Sequence, residues 1–174
     1  MRTRAPWLLV VPFLILARPT PELLGVGAAL ATLGLVIRAW SAGTIEKGRV
    51  LATSGPYAFT RNPLYLGSFL IGTGLAMAGG HLAWPVAFVA FFGAVYVRTM
   101  KREAEELLHL FGTRYRDYAA QVPGFLPRPT PFRSGGSPGE GFRWSRYRRY
   151  REWEALLGAA AAFTVLAVRL RVGG

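Results

Sequence analysis

The sequence contains no cysteine and only two histidines, His81 and His109, and each scarcity excludes a class of chemistry. Without cysteine the chain forms no disulfide, holds no metal through thiolates and has no cysteine nucleophile. The two histidines lie far apart in sequence, which disfavours a histidine-based metal site, and we expect no bound metal. Acidic residues are also few, with 9 aspartates and glutamates against 21 lysines and arginines. A functional carboxylate therefore has few candidates.

Long apolar runs dominate the 174 residues, of which 52% are hydrophobic, and the mean hydropathy is +0.27. The apolar residues form continuous runs instead of being confined to one face of each helix, and such runs are typical of membrane helices. The runs cover residues 5–17, 22–40, 63–78, 82–97 and 153–168. We therefore predict one all-α domain over residues 1–174, a polytopic membrane protein with about five transmembrane helices.

The first run is short for a membrane span, since a helix of its length measures about 20 Å against a hydrocarbon core of about 30 Å. We predict a retained helix that turns at Pro19 and Pro21, with a cleaved signal peptide as the alternative. In the second run, Gly27, Ala31 and Gly34 share a face that permits close helix contact. Gly-Gly-His separates the third and fourth runs, which predicts a helical hairpin.

The net charge of +12 lies mostly between the apolar runs, on one predicted side of the membrane. This side holds the amino terminus, the loop at 41–62 and the segment at 98–152, and the positive-inside rule places it in the cytoplasm. No helix-turn-helix, zinc-finger or base-stacking pattern accompanies the charge, so we expect no nucleic-acid partner. We expect an integral protein of a bacterial inner membrane, in contact with membrane lipids.

Residues 128–152 differ in composition from the rest of the chain, because proline, glycine and serine precede the run R-W-S-R-Y-R-R-Y-R. This composition predicts a flexible basic connector whose arginines and aromatic rings lie at the lipid headgroups, with a specific anionic partner as the alternative. The connector separates a core motif region at 47–127 from a C-terminal membrane helix at 153–170.

The segment 55–67 reads G-P-Y-A-F-T-R-N-P-L-Y-L-G and precedes and opens the third apolar run. It places Arg61 beside Asn62 and Pro63 at the mouth of a membrane helix, where an arginine is costly without a function. The segment therefore predicts a polar site at the membrane surface.

A second polar segment, 103–118, follows the fourth run. Glu103 and Glu106 have helical spacing, which predicts that the fourth helix extends to about residue 111 in the cytoplasm. Gly112 fits a helix stop, and Tyr115 and Tyr118 fit one face of a second short helix. Taken alone, the segment fits a solvated helix with internal Glu–Arg pairs better than it fits a site.

The two polar segments border the same hairpin on the same side, so they can face each other. Together they offer carboxylates, tyrosines, an arginine and an amide around a cleft accessible from the lipid. A carboxylate and aromatic faces stabilise a cationic cofactor such as a sulfonium. An amphiphilic acceptor can reach such a cleft from the bilayer.

Four motifs in order carry a family resemblance: K-G-x-x-L-x-x-S-G-P-Y, R-N-P-L-Y-L-G, E-x-x-x-L-x-x-x-F-G-x-x-Y-x-x-Y and V-P. Over residues 47–127 the chain resembles the isoprenylcysteine carboxyl methyltransferases, which in turn resemble the phospholipid N-methyltransferases. The resemblance implies an integral membrane enzyme that uses S-adenosylmethionine without a soluble Rossmann domain.

The resemblance also assigns site residues. The family element R-H-P-x-Y-x-G lines the cofactor site, and an acidic position and paired tyrosines follow downstream. With two further candidates in the same segments, Tyr57 and Glu106, the expected cofactor-binding residues are Tyr57, Arg61, Asn62, Pro63, Tyr65, Gly67, Glu103, Glu106, Tyr115 and Tyr118.

Asn62 stands where the family has histidine, and an amide hydrogen-bonds but does not shuttle a proton. Methyl transfer depends mainly on alignment of the reacting groups. A carboxylate acceptor is already ionised, and Arg61 or Arg98 can bind it through two hydrogen bonds. We therefore expect Arg61, Arg98 and Glu103 to be catalytic and the acceptor to be lipid-like or small and anionic.

Two other functions stay open at this point. Some sterol reductases resemble the family in their carboxy-terminal helices and bind a nicotinamide cofactor, so a membrane reductase that uses NADPH is one alternative. A membrane scaffold without catalysis is the other. The identity of the acceptor, the oligomeric state and the contribution of the last helix to the site also stay open.

Overall fold

The computed structural model of the chain describes residues 12–13, 15–46, 50–133 and 141–172. Within these ranges the protein is helical and contains no β-strand. A 3-10 helix, Gly55–Ala58, lies between the first two long helices. The α-helices are α1 (Pro21–Thr44), α2 (Pro63–Ala78), α3 (Ala83–Phe111), α4 (Thr113–Gln121), α5 (Trp144–Arg149) and α6 (Trp153–Val172).

The apolar runs from residue 22 onward form helices where the sequence predicts them. α2 coincides with the run 63–78, whereas α1 and α6 continue about one turn further. α1, α3 and α6 are long and apolar enough to cross a membrane, and α2 is a shorter apolar helix. Most of the run 5–17 lies outside the described residues, as do Lys47 and Gly48. A total of five spans therefore stays a prediction.

α3 continues well beyond its apolar part, as the sequence predicts. It ends at Phe111, where Gly112 takes a φ of 55°, a left-handed conformation that favours glycine. α4 starts directly afterwards, and its Tyr115 and Tyr118 are buried against Val122. The chain thus turns back at Gly112 and brings α4 towards the start of α2. The cytoplasmic location of this part stays a prediction.

α1 and α2 contact each other at backbone distance through two pairs of glycines. A Cβ atom on Gly34 would lie 2.5 Å from the carbonyl oxygen of Gly67, and one on Gly67 would lie 2.7 Å from that of Gly34. Gly27 and Gly74 make the same reciprocal contact nearer the start of α1. Small residues allow such close packing in membranes. The contact fixes the first turns of α2, and with them the segment 55–67, against α1.

We expect the substitution Gly34→Ala to destabilise the protein, because the added methyl group would force α1 and α2 apart. Overpacking of this kind costs about 1–3 kcal/mol. Gly25→Ala is the matched control in the same helix, since nothing lies within 4 Å of a Cβ atom there. Thermal unfolding in detergent micelles should show a lower midpoint for Gly34→Ala and an unchanged or higher one for Gly25→Ala. Equal midpoints would contradict the packing described here.

The segment 128–152 is held against the helices wherever the structure describes it. The backbone N–H groups of Arg128 and Phe132 donate to the carbonyl oxygens of residues 59 and 58, at 2.9 and 2.8 Å. Beyond the gap at 134–140, the N–H of Arg143 donates to the carbonyl of Gly43 at the end of α1. Residues 128–133 and 141–152 thus have defined backbone partners, and the flexibility of the connector stays a prediction. Composition reveals the lack of apolar residues but not these backbone hydrogen bonds.

Candidate active site

A cavity of about 470 Å³ lies where the C-terminal half of α1, the 3-10 helix, the start of α2, the end of α3 and α4 meet. The structure thus brings the two polar segments, 55–67 and 103–118, to one place. The cavity is lined by these residues named in the sequence analysis: Tyr57, Arg61, Asn62, Pro63, Tyr65, Glu103, Glu106, Tyr115 and Tyr118.

Two candidates, Gly67 and Arg98, do not line the cavity. Gly67 is buried in the contact with α1, where a Cβ atom would lie 2.6 Å from Cγ of Arg38, so its role here is close helix packing. Arg98 is exposed on α3. An α-helix turns about 100° per residue, which places Arg98 about 140° around the axis from Glu103. Arg98 therefore cannot share the face of α3 that Glu103 turns to the cavity.

The acidic part of the cavity centres on Glu103. The hydroxyl of Tyr65 donates a hydrogen bond of 2.6 Å to Oε1 of Glu103 and joins α2 to α3. Glu103 is half-buried, whereas Glu106 has 63% of its side chain exposed and pairs with Arg102 at 3.6 Å. A shielded carboxylate interacts more strongly with a cation than an exposed one does. Glu103 is therefore the stronger cation-binding candidate of the two.

Arg61 is the basic counterpart of Glu103 in the cavity. Its Nη1 donates to the hydroxyl of Tyr115 at 3.3 Å, and its backbone N–H donates to the carbonyl of Pro123 at 2.9 Å. Among the described residues, its buried Nε has no hydrogen-bond partner and no carboxylate lies within ion-pair distance. A guanidinium in this state retains donors for an anionic ligand.

Two buried tyrosines extend this donor-rich region. The hydroxyl of Tyr118 donates to the carbonyl oxygen of Tyr57 at 2.7 Å. The hydroxyl of Tyr57 itself is buried and has no partner among the described residues. Burial raises the pKa of both phenols well above the ordinary value. Both tyrosines therefore stay protonated at physiological pH, and Tyr57 can donate to a bound ligand.

Asn62 is occupied by the protein itself. Its Nδ2 donates to the carbonyl oxygen of Gly124 at 2.7 Å, and the hydroxyl of the buried Thr60 donates to the carbonyl of Phe125 at 2.9 Å. These bonds tie the loop after α4 to the start of α2. The Asn62 amide, at the position where the resemblance implies a histidine, thus has a structural partner, and its direct contact with a cofactor stays a hypothesis.

We expect Asn62→Asp to be more damaging than Asn62→His. An aspartate carboxylate has no N–H to donate and would face the carbonyl of Gly124, whereas a histidine ring keeps a donor. Loss of a partly buried hydrogen bond of this kind costs on the order of 1 kcal/mol. Thermal unfolding should therefore show a clearly lower midpoint for Asn62→Asp and a smaller change for Asn62→His. The opposite order would mean that the bond to Gly124 does not hold the loop.

Two cavity residues, Arg38 and Glu152, were not predicted as site residues. Arg38 lies in α1, and Glu152 immediately precedes α6, yet both line the cavity and form an ion pair. The sequence carries a signal for Arg38, because a charge inside an apolar run usually serves a function. It carries none that pairs Arg38 with a residue so far along the chain.

The comparison with protein families matches residues 23–114 to the phospholipid methyltransferase model. The nickel-cobalt-cadmium resistance protein NccN of Alcaligenes xylosoxydans xylosoxydans is 33% identical over 64% of this chain and 53% of its own length. A protein-S-isoprenylcysteine O-methyltransferase of Schizosaccharomyces pombe is 30% identical over 47% of this chain and 35% of its own.

A Delta(14)-sterol reductase of Mus musculus is 31% identical over 44% of this chain and 18% of its own length. The chain spans about half the length of the first curated relatives it matches, 53% in each case. No solved structure gives a significant match.

Proposed function

Because this chain belongs to the phospholipid methyltransferase family, we propose that it is a methyltransferase that uses S-adenosylmethionine. The proposed reaction moves the methyl group to a lipid-like or small anionic acceptor at the cytoplasmic face of the membrane. The chain is an integral membrane protein, as its three long apolar helices and its family indicate. The cytoplasmic orientation and the bacterial inner membrane are part of the proposal and rest on the positive-inside rule.

The observation that carries the proposal is the presence of both charge signs in one cavity. Glu103, oriented by Tyr65, offers a shielded negative charge. Arg61 and Tyr57 offer buried donors that have no partner among the described residues. S-adenosylmethionine carries a positive sulfonium and a carboxylate, and it supplies an electrophilic methyl group. The residues present therefore fit this cofactor, with Glu103 facing positive charge and Arg61 and Tyr57 facing the carboxylate.

The residues of the cavity also fit an acceptor that arrives ionised. Neither histidine of the chain lines the cavity, and Asn62 does not exchange protons. The carboxylates that could act as a base are each engaged, Glu103 with Tyr65, Glu106 with Arg102 and Glu152 with Arg38. Tyr57 and Tyr118 keep their protons because burial raises the pKa of each. A carboxylate acceptor needs orientation rather than a general base, whereas an ammonium acceptor first has to lose a proton. This chemistry favours an anionic acceptor.

A membrane reductase that uses NADPH is the second candidate, and the similarity to a sterol reductase is the observation that favours it. The phosphates of NADPH would need cationic groups in the cavity. Arg61 is the cavity guanidinium without a carboxylate partner among the described residues. The carboxylate of Glu103 in the same cavity opposes a ligand with several negative charges. We therefore rank the reductase below the methyltransferase.

Ligand protection against heating tests the proposal. The purified protein in detergent micelles is heated alone, with S-adenosylmethionine and with NADPH at the same concentrations. A ligand that binds the folded state stabilises it by about 2.7 kcal/mol at one hundred times its Kd. We expect protection by S-adenosylmethionine alone. Protection by NADPH alone would favour the reductase, and protection by neither would favour a scaffold without catalysis.

A further inference from the structure

Arg38 and Glu152 form a two-point ion pair on one wall of the cavity. Nε of Arg38 donates to Oε2 of Glu152, and Nη2 donates to Oε1, each at 2.9 Å. The two side chains are only 23% and 9% exposed, so water screens their attraction weakly. Nη1 of Arg38 donates to the hydroxyl of Ser68 and, at 3.5 Å, to the carbonyl of Leu64. The pair therefore joins α1, α2 and the residue that precedes α6.

Glu152 ends a segment, residues 142–152, that lies along the C-terminal end of α1. The ring of Phe142 rests on Gly43, where a Cβ atom would lie 2.2 Å from it. Arg146 donates to the carbonyl of Thr44 at 3.3 Å and pairs with Glu46 at 2.9 Å. The segment is thus fixed near its start by these contacts and at its end by Glu152. It lies outside the family match, which ends at residue 114.

Glu152 and Glu103 both affect the hydroxyl of Tyr57. Burial is the main cause of the raised pKa of Tyr57; the neighbouring Tyr118 and the carboxylates of Glu152 and Glu103 raise that pKa further. Tyr57, Glu103 and Glu152 all line the same cavity. Because Glu152 neutralises Arg38, Arg61 is left as the guanidinium of the cavity without a carboxylate partner in the described part of the chain.

We propose that Glu152 is a positioning residue of this site. By holding Arg38 it fixes the end of the segment 142–152 at the cavity, where Glu152 itself forms part of the wall, and it keeps Arg38 from competing with Arg61 for an anionic group. The identity of the ligand in the cavity rests on the proposed function, whereas the role of Glu152 in the cavity wall does not. The last part of the chain then contributes to the site as a structural boundary.

Thiol labelling tests the wall without any ligand, because the native chain has no cysteine. One reporter is Leu64→Cys, which lines the cavity at the carbonyl that Arg38 contacts. The other is Ala76→Cys, buried in α2 and outside the cavity lining, which reports loss of the fold. The rate of reaction with N-ethylmaleimide is measured for each reporter in detergent micelles.

Glu152→Gln is expected to raise the labelling rate of the Leu64 reporter about tenfold, because loss of one partner of a shielded pair favours local opening. The rate at the Ala76 reporter should stay unchanged. The exchange Arg38→Glu with Glu152→Arg should restore slow labelling. Glu154→Gln is the matched control, since its partner Arg151 is exposed and the pair lies at the surface.

An unchanged rate at the Leu64 reporter would overturn the proposal, as would no recovery in the exchanged variant. Faster labelling at both reporters would show that the pair holds the whole fold, and would also overturn a local role. A separate measurement concerns the ligand: Glu152→Gln should raise the Kd for S-adenosylmethionine about tenfold, by releasing Arg38 from its position in the cavity wall. If the native protein does not bind S-adenosylmethionine, the proposed function fails while the labelling result stands.

Discussion

Glu103→Gln is expected to raise the Kd for S-adenosylmethionine at least about tenfold, which corresponds to about 1.4 kcal/mol. The glutamine carbonyl can still accept the hydrogen bond from Tyr65, so the substitution removes charge with little change of shape. Removing the charge of a half-buried carboxylate close to a sulfonium costs more binding free energy than removing that of an exposed one, because water screens the attraction less. Isothermal titration calorimetry on the purified protein measures the change.

Glu105→Gln provides the matched control for this substitution. Glu105 lies on the same helix, is exposed and does not line the cavity, so its loss should leave the Kd unchanged. A methyl-transfer assay with labelled S-adenosylmethionine should show the same ranking, with the larger loss for Glu103→Gln. Equal Kd values for the two variants would mean that Glu103 does not face the cofactor.

Arg61→Met is expected to abolish measurable binding of S-adenosylmethionine while it leaves the midpoint of thermal unfolding unchanged or raises it. The side chain presents a buried Nε with no partner among the described residues, and a buried charge without an ion-pair partner opposes folding. Methionine fills similar space without that charge. Binding should therefore be lost without any loss of stability, as is common at functional sites.

Arg116→Met and Arg98→Met serve as controls, because both arginines are exposed and lie outside the cavity lining. Both variants should bind S-adenosylmethionine with the native Kd. Arg61→Lys separates charge from shape, since a lysine keeps the charge but loses the planar two-point donor. We expect it to bind more weakly than the native protein and more strongly than Arg61→Met. If Arg61→Met lost stability and kept binding, Arg61 would be a structural residue.

The helices and the meeting of the two polar segments follow from local features of the sequence. Pro63 starts α2, Gly112 ends α3, and the apolar runs between such signals set the helices. The order of the helices then places 55–67 and 103–118 at the same end of the hairpin. The signals that start and end these helices are local, so they do not depend on the first apolar run, which lies largely outside the described residues.

The details of the site depend on contacts between distant residues, which a single sequence does not reveal. Glu152 meets Arg38 across 114 positions. The bond from Asn62 to Gly124 spans 62 positions and occupies the amide that the motif alone assigned to the cofactor. Arg98 is a different case: helical geometry alone separates it from Glu103, so the sequence could have excluded a shared face.

Photochemical cross-linking of labelled S-adenosylmethionine to the purified protein, followed by peptide mapping, tests the central claim most directly. The account predicts label in peptides that contain residues 55–67 or 103–118, the segments that line the cavity, and competition by unlabelled cofactor but not by NADPH. Label confined to peptides outside the cavity, or label that NADPH removes, would contradict it.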